Sequence, residues 1–267
     1  MPLLHKFYQT NFQNGFKTEN TILKTNIYAP EVIFIGTYNH GWSWNPSDFF
    51  YGRGMYMWPV LGNLFLHNAN QLTHPRNQNN DDPNFEQIFE ICAKGKIVFA
   101  DIVKGIKDDV TAIENNGEKY VLVNNELNWP IIDEKGNRIK EYSDKYLDIM
   151  GRFNWLDDNV KAITKYINET PSIKHVYFTF NTGAWVVTKK NEICNKLRKG
   201  VSFFSVFTPT ASGFRRNLEA PFDERAWSLT HCWVWNGLEH QCPITKPNFG
   251  HLDHNWLVRN GVTPNNF

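Results

Sequence analysis

Two kinds of apolar run alternate along the chain. Residues 32–37, VIFIGT, are continuously apolar up to a Gly, the pattern of a strand buried on both faces of a parallel sheet. A long loop follows to about residue 53. MYMWPVLGNLFLHNANQL (55–72) then carries apolar residues at helical spacing, with Pro59 acceptable in a first turn. A polar stretch leads to FEQIFEICAKG (85–95), a short helix closed by Gly95, and KIVFADIVKG (96–105) predicts a second buried strand running into a loop. Between 108 and 143 the pattern changes to short strands, with turn signals at Asn124-Asn125 and Glu134-Lys135-Gly136. Helical periodicity returns over 144–170, KHVYFTFN (174–181) predicts a third buried strand, and 182–200 a helix with a Gly stop. VSFFSVFTPTASG (201–213) predicts a fourth strand meeting a loop of small residues, and after Arg215-Arg216 the chain is irregular and rich in Trp, His and Pro.

Buried strands alternating with helices predict an α/β fold: a three-layer sandwich around a central, mostly parallel four-stranded sheet. The hairpin at about 108–143 is an insert and the residues from about 217 an irregular C-terminal extension of one domain spanning 1–267. Ligands of such sheets bind beyond the carboxyl ends of the strands. The loops at those ends are GTYNHGWSWNPSDFFYGRG, ADIVKGIKDD, FNTGAW and TPTASGFRR, and chemistry is expected there.

Composition sharpens this picture in three ways. Aromatic residues make up 15% of the chain, more rings than a core of ordinary composition calls for, and many fall in the first of those loops. The net charge of +1 means that affinity for nucleic acid has to come from a local patch. Lys189, Lys190, Lys196, Arg198, Lys199, Arg215 and Arg216 supply one, offset only by Glu192. The four Cys form no CxxC pair, the first residues lack a signal-peptide pattern, and no apolar run approaches the ~20 residues of a membrane span, so a cytoplasmic monomer is expected. The absence of a P-loop or GxGxxG motif weighs against a nucleotide-binding α/β protein.

The four loops, in their order, resemble the motifs of the uracil-DNA glycosylase superfamily, most closely its mismatch-specific and hypoxanthine-type branches. VIFIGT…FFYGRGMYMWPVL resembles the first motif, with Phe49, Phe50 and Tyr51 ahead of a matching Trp58. KIVFADIVKG resembles the strand ending in DV or DIV, with Asp101 at the acidic position. FTFNTGAW matches VFFNGxxA at Phe180, Asn181, Gly183 and Ala184. FTPTASGFRR lies where the family carries its minor-groove loop, with Thr208, Pro209, Thr210 and Ser212 as the comparable small residues. Where the family places its catalytic Asn or Asp this chain has Tyr38, followed by Asn39 and His40, and Met55 replaces an Asn.

The resemblance implies a DNA glycosylase that needs no cofactor, extrudes a base and hydrolyses its N-glycosidic bond. Asn39, Asp48 and His40 are the candidates for handling water, since a carboxylate can hold water and stabilise a cationic sugar whereas an Asn can only orient water. Tyr38, Phe50 and Tyr51 are candidates for stacking on the base, and Asp101 and Asn181 for reading its edge. Thr208, Thr210, Ser212, Phe214, Arg215 and Arg216 would meet the DNA backbone, with Phe214 as a wedge. Each residue type also has a plain structural use: rings in the core, Asp48 as a turn partner, Asp101 capping the next turn, Asn181 in a turn, lysines on a solvated helix face. Tyr38 and Met55 open the substrate range to bulky modified bases, such as the glucosylated cytosines of some phages, besides uracil and hypoxanthine. A silent binder of modified bases is the alternative class. His231, Cys232, His240, Cys242, His251 and His254 in the tail are zinc-binding types, but their spacing fits no standard site, and no metal is expected.

Overall fold

The computed structural model describes residues 3–12, 14–41, 45–53, 55–66, 83–107, 110–115, 118–123, 144, 147–152, 154–206, 208–209, 229–230, 233–234, 252–260 and 262, with backbone alone at 110–115, 118–123 and 254. The strands are β1 (Leu3–Leu4), β2 (Phe16–Glu19), β3 (Ile22–Thr25), β4 (Val32–Gly36), β5 (Ile97–Asp101), β6 (Val103–Ile106), β7 (Val110–Asn115), β8 (Glu118–Val123), β9 (Leu156–Asp158), β10 (His175–Phe178) and β11 (Ser202–Ser205). The described helices are α1 (Met57–Phe65), α2 (Phe85–Gly95), α3 (Leu147–Arg152), α4 (Val160–Glu169), α5 (Ala184–Cys194) and α6 (His254–Arg259).

The central sheet runs β11-β10-β4-β5-β3-β2. Its first four members are mutually parallel and come from the four apolar runs expected to form strands. The sheet does not end there: β3 joins β5 antiparallel and β2 joins β3 antiparallel, so it is six-stranded and mixed rather than four-stranded. The two added strands come from FKTENTILKT, where alternation lasts only four residues a side and the reversal uses Asn20 and Thr21 in left-handed backbone (φ 50° and 58°). A second sheet, β1-β6-β9, takes in β6 from two residues past Asp101, so the expected loop ADIVKGIKDD is in fact mostly strand.

Period-2 alternation sends the parallel strands' side chains to two cores. Val32, Phe34, Ile97, Phe99 and Tyr177 face α1 and α2, while Ile33, Ile35, Val98, Ala100, Val176 and Phe178 face α3, α4 and α5. Helices on both faces make three layers. Each fully buried Phe, Leu or Ile contributes about 1.5–3 kcal/mol, so the two cores dominate stability. Leu229, Trp233, Val234, Leu252, Leu257 and Val262 are buried in the first of them, which makes these parts of the tail a covering of the sheet rather than an appendage.

Local signals account for most helix ends. Pro59 sits in the first turn of α1, where its missing N–H has no intrahelical partner to lose. Asn84 and Gln87 form a capping box at the start of α2. The left-handed residue ending that helix is Lys96 (φ 50°), while Gly95 is needed for space: a Cβ there would lie 2.6 Å from Ile97. The helical pattern over 144–170 divides into α3, β9 and α4, with a break at Asn154 (φ 58°). The expected insert contains a hairpin, β7 paired with β8, whose connection falls at 116–117; the turn signals at 124–125 and 134–136 lie outside the described residues.

Candidate functional site

In the parallel part of the sheet, the chain leaves β4 for β5 on one side and later returns across β4 to β10 on the other, covering opposite faces as it goes. Neighbouring β4 and β10 therefore send their carboxyl-end connections in opposite directions, the topological switch point at which a ligand crevice is expected. Thr37 to His40 leave β4 at that crevice, Thr179 to Asn181 leave β10, and Asp101 ends β5 one strand away.

Asp101 is only 2% exposed, and a carboxylate is costly at such a place unless it is held by donors. Its Oδ2 accepts from His5 Nε2 and from Asn39 Nδ2, both at 2.8 Å. The backbone N–H of Phe7 donates to His5 Nδ1 at 3.0 Å, so the ring proton sits on Nε2 and points at the carboxylate. Among the described residues Oδ1 accepts no hydrogen bond. It lies against the bare backbone of Gly36, where a Cβ would collide with Oδ1 and lie 2.8 Å from Tyr51 Oη.

Tyr51 stands beside this carboxylate in left-handed backbone (φ 55°), with its carbonyl accepting from Trp58 Nε1 at 3.2 Å. Its hydroxyl is 2.7 Å from Thr179 Oγ1, which in turn reaches the Ile35 carbonyl at 3.4 Å. Burial first, then the Asp101 charge, and after the opposing bond to Thr179 the charge of Asp144, leave its phenol well above the usual range. Tyr51 thus keeps its phenol proton. Thr37 Oγ1 donates to Asp144, and Thr208 Oγ1 donates to the Thr179 carbonyl at 2.7 Å. Asn39, Asp101, Tyr51, Thr179, Thr208 and Asn181 consequently share the carboxyl end of the sheet.

His5 completes the site from far away in the chain. Its backbone pairs with Lys104 and His40, and β1 is threaded between two glycines: a Cβ on Gly41 would strike the Leu4 carbonyl, and one on Gly105 would lie 2.8 Å from the Leu3 carbonyl. Sequence reasoning missed His5 because nothing local marks it; its partner is 96 residues away. Thr179 carries a weak signal, a hydroxyl closing the apolar run HVYF.

Other expected site residues are placed differently. Phe50 is fully buried among Phe7, Phe49 and Phe99, with centroids 5.5 to 6.0 Å apart, and presents no face to a base. Tyr38 is 6% exposed, packs against the His5 ring at 5.9 Å and donates to the Leu3 carbonyl. His40 is buried, and its carbonyl accepts from Asn45. Asp48 pairs with Arg53, which also donates to the Pro83 carbonyl and lies over Phe85, so it ties the loop to the start of α2. Asn181 is exposed, and its Oδ1 accepts from Lys190. Thr210, Ser212, Phe214, Arg215 and Arg216 lie outside the described residues, as do His231, Cys232, His240, Cys242 and His251; for His254 only backbone is described. Among the described residues no three His, Cys, Asp or Glu cluster as a metal site, and no helix is long and apolar enough to cross a membrane.

The basic stripe divides in space. Because α5 runs back along the sheet, Lys196, Arg198 and Lys199 fall toward the amino ends of the strands, where Arg198 donates to the carbonyls of Thr170, Pro171 and Ile173. Lys189 is paired with Asp158 and Glu192, both at 3.0 Å. The N-terminus of α5, a natural phosphate cradle, is filled by the protein itself: the N–H groups of Ala184 and Trp185 donate to Asp148 at 2.9 and 2.7 Å. This occupancy counts further against nucleotide binding of the usual α/β kind. Comparison of the chain with family models, with curated proteins and with solved structures returned no match in any of the three.

Asp101 and Tyr51 make one unit: a carboxylate clamped through one oxygen, its other oxygen accepting no hydrogen bond among the described residues, beside a phenol that stays protonated. Such a unit can hold a water molecule and offset positive charge developing on a nearby carbon. Gly36→Ala is expected to separate the two groups, and to lower any activity of the site at least tenfold while thermal unfolding moves only a few degrees. Paired measurement of turnover and melting temperature checks this.

Proposed function

We propose that the chain is a DNA glycosylase that extrudes a modified or damaged base and hydrolyses its N-glycosidic bond. The observation that carries this reading is the buried Asp101 carboxylate, its Oδ1 accepting no hydrogen bond among the described residues, at the carboxyl end of a parallel sheet, next to the switch point between β4 and β10. The order of the four strand-end segments, resembling the uracil-DNA glycosylase motifs, supports the choice of substrate class.

In this mechanism the extruded nucleotide enters the crevice with C1′ toward Asp101. Oδ1 orients the attacking water and its charge stabilises the oxocarbenium-like sugar. Asn39 and His5 act as positioning residues: their bonds to Oδ2 leave Oδ1 as the oxygen that faces substrate. Tyr51 donates toward the sugar or the departing base, and Asn181 offers its Nδ2 donor to the base edge, its Oδ1 being held by Lys190. Asn39 is thereby reassigned from handling water to holding the carboxylate, and Asp48 from catalysis to fastening its loop.

The substrate panel follows from the opening loop. Tyr38 and Met55 stand where the family keeps groups tied to small bases, so glucosylated cytosine of phage DNA belongs beside uracil and hypoxanthine. A second reading, a binder of modified bases that does not cut, draws on one observation: the side chains of Asn39 and Asp48 are both committed to protein partners. Incubation with duplexes carrying each base, scored for free base and alkali-labile abasic sites, separates the two. Release from one duplex supports the enzyme; binding without release from any supports the binder.

Asp48→Ala is expected to leave the release rate within about threefold of the parent protein. The Asp48 side chain is 40% exposed, and an ion pair of that kind contributes little, about 0–1 kcal/mol. A hundredfold loss in the same assay would restore Asp48 to the chemistry.

A further inference from the structure

Lys190 occupies a position that helical geometry reserves for an apolar residue. On α5 the residues turned toward the sheet are Val186 and Ile193, both buried, and Lys190 lies four residues after one and three before the other. Its stem is thus held in the apolar stripe, and its ammonium emerges at the carboxyl ends of β10 and β11. There Nζ donates to Ser205 Oγ at 2.6 Å and to Asn181 Oδ1 at 3.3 Å, and it lies 5.7 Å from the centroid of the Phe178 ring.

These partners satisfy hydrogen bonds but carry no charge. Among the described residues no carboxylate pairs with Lys190, whereas Lys189, its neighbour in the chain, has two. Burial draws the Lys190 amine below its ordinary pKa, the response of a cation losing water without gaining a counter-ion. Asp148 sits at the first turn of the same helix, but its oxygens are taken up by the Ala184 and Trp185 N–H groups. A half-buried ammonium whose neighbours are a hydroxyl and an amide is one anion short of a balanced site. Among the described residues, the exposed Asn181 and Thr182 leave that side open to a ligand.

We propose that Lys190, Ser205 and Asn181 form a phosphate-binding site at the ends of β10 and β11, and that the group it takes is a phosphodiester of the nucleic acid flanking the extruded nucleotide. The identity of the phosphate rests on the glycosylase reading; the anion site itself does not. Backbone contact would then come from a lysine one turn inside α5, the helix N-terminus being already closed by Asp148. The contact carries no base identity, so its loss weakens binding evenly across sequences.

Fluorescence anisotropy with a labelled duplex, titrated between 50 and 200 mM salt, tests the site without requiring turnover. Lys190→Met keeps the apolar stem, and circular dichroism checks that it folds; Ser205→Ala is the second variant. The expected result is weaker binding by Lys190→Met to every duplex, with the slope of log affinity against log salt reduced by about one. Binding and slope equal to those of the parent protein would overturn the proposal. If the parent protein binds no DNA but inorganic phosphate raises its melting temperature and not that of Lys190→Met, the phosphate site stands and the DNA reading fails. If neither probe distinguishes the two proteins, the site is refuted whatever the fate of the glycosylase reading.

Discussion

Asp101→Asn is expected to lower the rate of base release by about 10²–10⁴-fold, the range that a well-placed acid–base group contributes. The replacement is nearly isosteric, and an amide can still accept from His5 and Asn39, so the fold and DNA affinity should persist. What is lost is the charge on Oδ1 that orients water and offsets the cationic sugar. Single-turnover release measured with and without the substitution, alongside anisotropy on the same duplex, separates chemistry from binding. Retained release at more than a tenth of the parent rate would remove Asp101 from the reaction. His5→Phe provides a graded companion: it leaves Oδ1 in place but reduces the hold on Oδ2 to the Asn39 bond alone, so a smaller loss marks His5 as a positioning residue.

The second large effect concerns stability. Trp58→Ala should cost about 3–5 kcal/mol, the usual range for removing a buried Trp. Trp58 is fully buried, touches the rings of Phe49 and Phe99 at centroid distances of 5.6 and 5.7 Å, and donates to the Tyr51 carbonyl. That cost is a large part of the ~5–15 kcal/mol that holds a typical domain together. A urea titration that shifts the unfolding midpoint by less than about a fifth of its parent value would contradict this. The carbonyl bond adds a local consequence: Tyr51 is held in left-handed backbone, and loss of the Trp58 donor should reduce base release beyond what the unfolded fraction explains.

How far the fold can be read from the chain depends on how long each signal runs. VIFIGT, KIVFAD and HVYFTF are apolar over four or more positions and become parallel strands buried on both faces, whereas VSFFS has three apolar positions and forms the edge strand β11, with Phe203 exposed. The hairpin of β2 and β3 escaped because its alternation is short and Lys17, Glu19 and Lys24 read as surface. The proposed site is legible to the extent that it lies at strand ends: Asp101 and Asn181 are expected at the ends of apolar runs, and both stand there. His5 is not expected, since a bond between residues 96 apart leaves no trace in any window. Tyr38 and Phe50, expected to stack on a base, are buried for a different reason. Their loop folds back onto the sheet, so residues that look displayed in sequence belong to the core beneath. Lys190 sits within a Lys-Lys pair that resembles a solvated helix face, and only its spacing from Val186 and Ile193 distinguishes it from Lys189.

Asp144 and Asp148 carry a last implication. The first accepts from Thr37 at the end of β4, and the second from the N–H groups that begin α5 after β10, so the two banks of the crevice are moored to carboxylates four residues apart. A chain of four residues spans at most about 14 Å, which limits how far the banks can part while both moorings hold.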